Sequence, residues 1–138
     1  MIPKILHQVW LSLDPIKRAP AVPEKWAQLA TCNQVLHPDW EYRLWTDEEV
    51  LEFVRSEYPE LMELFLAYPK AIMRADVIRY LIMYRIGGVY MDLDYEFIRP
   101  FDLNSHSLVL PQNCSVERNG FFRMGNCVFG STPGHHFW

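Results

Sequence analysis

No stretch of the chain approaches the roughly 20 apolar residues that span a bilayer, and no charged leader precedes a long hydrophobic region. Met1-Ile2-Pro3-Lys4 runs straight into apolar sequence. Cysteine is scarce and odd in number: Cys32, Cys114 and Cys127, without C-x-x-C spacing. That pattern speaks against a disulfide framework and a zinc ribbon, and for three reduced thiols. A basic stripe is missing as well. The 13 Lys and Arg are scattered among 17 Asp and Glu, for a formal charge of −4. A nucleic-acid-binding surface is therefore not expected, and attraction of any phosphate ligand has to be local. No internal repeat, low-complexity tract or linker divides the 138 residues, so the expectation is one domain over 1–138. Reduced thiols and the missing anchor lead to the expectation of a cytoplasmic protein, with peripheral association at the inner face of a membrane left open.

Against these absences, half of the residues are apolar, with 5 Trp, 7 Tyr and 8 Phe. Such a composition can offset the entropy of ordering a chain, so a packed core is expected. Lys4 to Trp10 (KILHQVW) reads as a buried strand. Pro15, Pro20 and Pro23 mark a loop, and Glu24 to about Gln34 a helix. Glu41 to Trp45 alternates as a second strand, and Thr46-Asp47-Glu48-Glu49 is a capping box that starts the next helix. A short helical piece covers Leu61 to Ala67. The longest helical pattern runs from Lys70 to about Arg85, with Ala71, Ala75, Ile78 and Ile82 as its apolar stripe. Gly87-Gly88 stops it. Val89 to Met91, Tyr95 to Ile98, Ser107 to Leu110 and Phe121 to Phe129 supply further strand candidates. Alternating helices and strands predict an α/β sandwich with a mixed, mostly parallel sheet.

The segment that carries chemistry is RADVIRYLIMYRIGGVYMDLD, Arg74 to Asp94. Asp76 and Arg79 stand three apart, on one helix face and off the apolar stripe. Taken alone they read as a solvated ion pair. Asp92 and Asp94 follow an apolar strand and, at i and i+2, point to one side. Two such carboxylates repel, and a divalent cation removes the conflict; oxygen-only ligands suit Mg²⁺ or Mn²⁺. A lone D-x-D is also what two exposed loop acids look like. The combination of an Asp/Arg helix, a glycine stop, a short strand and D-x-D is much more specific. The tight Gly-Gly turn folds helix beside strand and brings the two pairs to one site, where an arginine and a metal can clamp a diphosphate.

This segment closely resembles the D-x-D region of glycosyltransferase family 32, the sugar-binding region containing a DxD motif. IPKILHQVWLS, HPDWEYRLWTDEE and NCVFGSTPGHHFW resemble other blocks of the same family, so the likeness extends over nearly the whole chain. Its members include inositol phosphoceramide mannosyltransferases, initiating α-1,6-mannosyltransferases, animal hexosyltransferases, bacterial capsular polysaccharide enzymes and glucosylating toxins. The resemblance implies a GT-A nucleotide-binding sandwich and a retaining, metal-dependent hexosyl transfer. It implies that Trp10 stacks on the donor base, that Asp76 and Arg79 hold the transferred sugar, and that Asp92 contacts sugar or ribose and assists with Mn²⁺ or Mg²⁺. Asp94 binds the metal directly by the same likeness, and Asn126 lines the donor sugar. Partners so implied are a nucleoside-diphosphate hexose and a glycan or lipid acceptor. GDP-mannose, UDP-galactose, UDP-glucose and UDP-N-acetylglucosamine stay open as donors, with mannose favoured. Family members continue past the PGHHFW block with acceptor contacts and a further metal-side ligand, so the expectation is the donor-binding portion of a domain truncated at its C-terminus.

Blander readings stand beside these. Without the resemblance, Trp10 reads as core, and His7 reads as a hydrogen-bonded core histidine. Trp26, Trp40, Trp45, Phe121 and Phe122 read as packing or acceptor-site surface. His135 and His136 are adjacent and do not share a face, which disfavours a metal site. A haloacid-dehalogenase-type phosphatase also places two aspartates after a strand, but no later Lys or GDxxxD pattern follows here. A non-catalytic nucleotide-sugar-binding remnant is the other alternative.

Overall fold

Successive strand residues point to opposite faces, and here the two faces meet two different cores. A computed structural model describes residues 1–12, 18–103, 105–116 and 122–138. Pro15, Phe121 and the side chains of Cys114 and Phe122 lie outside the described residues. Strands β1 (Ile5–Val9), β2 (Glu41–Trp45) and β3 (Gly88–Met91), with β4 (Leu108–Val109) and β7 (Val128–Ser131), form one five-stranded sheet in the order β2-β1-β3-β7-β4. β1 pairs parallel with β2 and β3, while β7 runs antiparallel to both β3 and β4. The sheet is therefore mixed, with β3 at its centre.

Helix α1 (Glu24–Leu36) lies between β1 and β2, and α2 (Asp47–Glu57), α3 (Met62–Ala67) and α4 (Ala71–Arg85) follow one another between β2 and β3, so helices and strands alternate only in the first two-thirds of the chain. On one face, Tyr90 and Phe129 pack with Val50, Val54, Phe65, Ile78, Ile82 and Met83 from α2, α3 and α4. On the other, Leu6, Val89 and Met91 pack with Ile2 and Leu103. The capping box forms: the Glu49 carboxylate accepts from the Thr46 backbone N–H and hydroxyl, both at 2.8 Å. His7 is fully buried, as a core histidine should be. Trp45 Nε1 donates to its Nδ1 at 3.0 Å, so Nε2 carries the proton and donates to the Gly87 carbonyl at 3.0 Å. Burial holds its pKa down to about 4.

Two expectations differ from the structure, and one strand was not expected. Tyr95 to Ile98 is not a strand; the Asn33 side chain of α1 bonds to the Tyr95 carbonyl and the Phe97 N–H instead. The Phe121 to Phe129 stretch splits into β6 (Phe122–Met124) and β7 (Val128–Ser131), with Gly125 between them. β6 pairs with β5 (Gln112–Val116), a hairpin the polar sequence QNCSV does not announce. Among the described residues, Cys32 and Cys127 are free thiols, and no helix is long and apolar enough to cross a membrane.

Candidate active site

The site is built where α4 turns back into β3. The Gly87 N–H donates to the Met83 and Ile82 carbonyls at 3.0 and 3.3 Å, ending the helix. Gly87 and Gly88 take φ of 70° and 98°, in the left-handed region that favours glycine. A Cβ on Gly88 would lie 2.8 Å from the Ile5 carbonyl oxygen and 3.0 Å from His7 Nε2. Glycine thus lets β3 start hard against β1. From there the alternation sends Val89 and Met91 to one core and Tyr90 to the other. Asp92, two residues beyond Tyr90, follows Tyr90 toward α4.

Arg79 meets it. The isolated helix pattern suggests a solvated pair, but the Arg79 side chain is only 5% exposed. Its Nη2 lies 2.9 Å from Asp76 Oδ1, and its Nη1 reaches Asp92 Oδ1 at 3.3 Å and the Asn126 carbonyl at 2.7 Å. Nε donates to Ala75 O at 3.1 Å, and the guanidinium stands 4.7 Å from the Tyr90 ring centroid. Asn126 Nδ2 donates to Asp76 Oδ1 at 3.2 Å. Asp76, Arg79, Asp92 and Asn126 therefore form one network. The Tyr90 hydroxyl donates to Asp92 Oδ1 at 2.5 Å. Burial raises the Tyr90 pKa, which keeps it a proton donor. Burial also raises that of Asp92, against the pull of the Tyr90 hydrogen bond and the Arg79 charge.

A cleft of about 260 Å³ opens over this network, lined by Trp10, Trp26, Arg79, Tyr90, Asp92 and Asp94 among others. Asp76 and Asn126 are not among the lining residues and are joined to them through Arg79. Trp10 is held in the lining: its Nε1 donates to the Pro20 carbonyl at 2.6 Å, and Trp26 packs edge-on at 5.4 Å. The loop carrying Pro20 is tied down by Asp47, whose carboxylate accepts the Ser12 N–H at 3.1 Å and the Ala19 N–H at 2.9 Å. The D-x-D backbone is held from both sides: Gln8 Nε2 on β1 donates to the Asp92 carbonyl at 3.3 Å, and the Asp92 N–H donates to the carbonyl of Cys127, just before β7, at 2.8 Å.

Tyr90, Gln8 and Asp47 are site residues that sequence reasoning passes over, and Trp26, read there as packing or acceptor-site surface, lines the cleft beside Trp10. Tyr90 was within reach, because i,i+2 spacing puts it beside Asp92. Nothing in the sequence signals that Asp47 caps a loop ending 28 residues earlier. His135 and His136 stack on each other at 4.6 Å. No group of three or more metal-ligating side chains exists among the described residues.

A divalent cation would find two carboxylates here. Asp92 Oδ1 is already engaged by Tyr90 and Arg79, while Asp94 is exposed and carries no hydrogen bond or ion pair among the described residues. Two carboxylates, with water and substrate phosphate completing the shell, suit Mg²⁺ or Mn²⁺, so the residues fit such an ion with Asp94 as the freer ligand.

The profile described as "Glycosyltransferase sugar-binding region containing DXD motif" matches residues 23–115. The chain belongs to that family. The matched span holds Asp76, Arg79, Asp92 and Asp94, whereas Trp10 and Asn126 lie outside it. Among family relatives, the chain is 40% identical to inositol phosphoceramide mannosyltransferase 3 of Schizosaccharomyces pombe, over 99% of this chain and 35% of that protein. It is 34% identical to the initiation-specific alpha-1,6-mannosyltransferase of Saccharomyces cerevisiae over 47% of this chain and 14% of that one. The chain spans 35–40% of the length of the three S. pombe relatives it matches. In fold it is similar to PaToxG glycosyltransferase, with a TM-score of 0.68 at 17% identity, over 96% of this chain and 56% of that one.

Proposed function

We propose that the chain forms the donor-binding part of a retaining hexosyltransferase that moves mannose from a nucleoside-diphosphate sugar to a glycolipid or glycan. The names of its relatives, which are mannosyltransferases, motivate the choice of sugar. The observation that carries the reading is the bond between Arg79 and Asp92, which unites the helix pair and the D-x-D acids beneath one cleft.

In this reading Trp10 stacks on the base, and Asp94 with Asp92 holds Mn²⁺ or Mg²⁺ at the diphosphate. The ion, when bound, neutralises charge on the leaving diphosphate. Asp76, Arg79 and Asn126 grip the sugar and orient its anomeric carbon. The bond broken joins that carbon to the diphosphate oxygen, the acceptor hydroxyl oxygen forms the new one, and the hydroxyl proton passes to the departing diphosphate. Among the described lining residues the only acids are Asp92 and Asp94. In this reading Asp92 is engaged by Tyr90 and Arg79 and Asp94 by the ion, so neither carboxylate is left as an enzyme nucleophile. That supports attack by the acceptor on the face the diphosphate leaves. The same engagement argues against Asp92 as a phosphatase nucleophile.

The second reading is a unit that binds donor without transferring it. A thermal-shift panel of GDP-mannose, UDP-galactose, UDP-glucose and UDP-N-acetylglucosamine, each with and without Mn²⁺, tests the donor side. GDP-mannose with Mn²⁺ is expected to raise the melting temperature most. No response to any donor overturns the reading; a response without transfer or hydrolysis moves it to the binding unit.

A further inference from the structure

The segment after the D-x-D acids, residues 95–101, lacks strand pairing, yet its backbone is not left to water. Asn33 is fully buried and His37 4% exposed, both at the C-terminal end of α1. Asn33 Nδ2 donates to the Tyr95 carbonyl at 3.1 Å, and its Oδ1 accepts the Phe97 N–H at 2.8 Å. His37 Nε2 accepts the Phe101 N–H at 2.8 Å. Since that ring nitrogen is an acceptor, Nδ1 carries the proton and donates to the Asn33 carbonyl at 2.9 Å. Asn33 thus presents to the segment one donor and one acceptor, as a neighbouring strand would. Aromatic packing closes the contact: His37 lies 4.3 Å from Trp40 and 4.7 Å from Phe97, and Phe97 stacks on Phe101 at 5.3 Å.

The clamp begins at Tyr95, the residue next to Asp94. On the other side of Asp94, Asp92 is fixed through Gln8 and Cys127. Among the described residues Asp94 itself makes no hydrogen bond or ion pair that would hold it. Its place relative to the cleft is therefore set by the anchors on either side. We propose that Asn33, braced by His37, is a positioning residue for Asp94: it stands in for a missing strand and holds the acid where a cation can use it. This rests on the reading of Asp94 as a metal ligand. Residues behind a ligand commonly change metal affinity ten- to a hundredfold when replaced.

The test uses Asn33→Leu, which keeps much of the volume and removes both hydrogen bonds. Mn²⁺ binding to the chain in the presence of GDP is followed by the paramagnetic resonance signal of free Mn²⁺. Binding is expected to weaken about tenfold or more in Asn33→Leu, and to be lost in Asp94→Ala. Unchanged affinity in Asn33→Leu alongside loss in Asp94→Ala overturns the positioning role and leaves the metal reading intact. Unchanged affinity in Asp94→Ala overturns both. Should Asn33→Leu not fold, amide hydrogen exchange on the unaltered chain decides the clamp. The Phe97 and Phe101 amides are expected to exchange slowly although they lie outside every strand; rapid exchange at both refutes it.

Discussion

Arg79 and Asp92 are joined at 3.3 Å across the junction of α4 and β3, and the arginine is almost wholly buried in making that contact. Every nitrogen of its guanidinium has a protein partner: Ala75, Asp76, Asp92 and Asn126. A residue so placed supports the fold as well as any ligand. Arg79→Ala leaves the half-buried Asp92 carboxylate without its counter-charge, and the expected loss is about 3 kcal/mol in urea unfolding. Arg79→Lys keeps the charge but not the planar fork, and should recover only part of the stability. Equal stability of the alanine variant and the parent would show that the network is not formed.

Asp94 is the contrasting acid. It is exposed and unbonded among the described residues, so Asp94→Asn should change unfolding free energy by less than about 0.5 kcal/mol. Its effect should appear only with ligand, as loss of the Mn²⁺-dependent rise in melting temperature with GDP-mannose. A rise as large as the parent's removes Asp94 from the metal site.

Two glycines with positive φ differ in their surroundings. Gly88 faces the Ile5 carbonyl and His7, whereas Gly134, at φ of 64°, has nothing within 4 Å of an added Cβ. Gly134→Ala should cost only the left-handed conformation, about 1 kcal/mol. Gly88→Ala adds a backbone clash and should cost clearly more, about 3 kcal/mol. Thermal or urea unfolding of the two variants side by side checks the order.

His7 predicts an acid-sensitive core. Its folded pKa is about 4, below the ordinary 6.5, so the unfolded chain binds this proton more readily. Stability from this group is present above pH 6.5 and is lost as pH falls toward 4. Between pH 7 and 4.5 the loss from His7 is about 2 kcal/mol. His7→Gln should be less stable than the parent at pH 7 yet fall less on acidification; parallel pH profiles would refute the assignment.

Much of this was legible from residues alone, and the reasons are local. The α4 stripe, the glycine stop and the alternation through Tyr90 to Asp92 are short-range patterns, and they carry Asp76, Arg79 and both acids to one place. The chain around Thr46 and Glu49 is equally local. What the sequence hid depends on distant partners. Residues 95–98 alternate like a strand, but Asn33, 64 positions from Phe97, occupies the place a strand would take. Arg79 reads as surface because its counter-charges Asp92 and its acceptor Asn126 arrive from other elements. The β5 strand is polar and owes its form to β6.

The two-glycine switchback also bears on how the molecule assembles itself. Arg79 and Asp92 are separated by 13 residues, Arg79 and Asn126 by 47. Closing the shorter loop costs about 1 kcal/mol less conformational entropy than closing the longer one. Loop closure alone thus favours the contact between Arg79 and Asp92 over the one that Asn126 brings from beside β7.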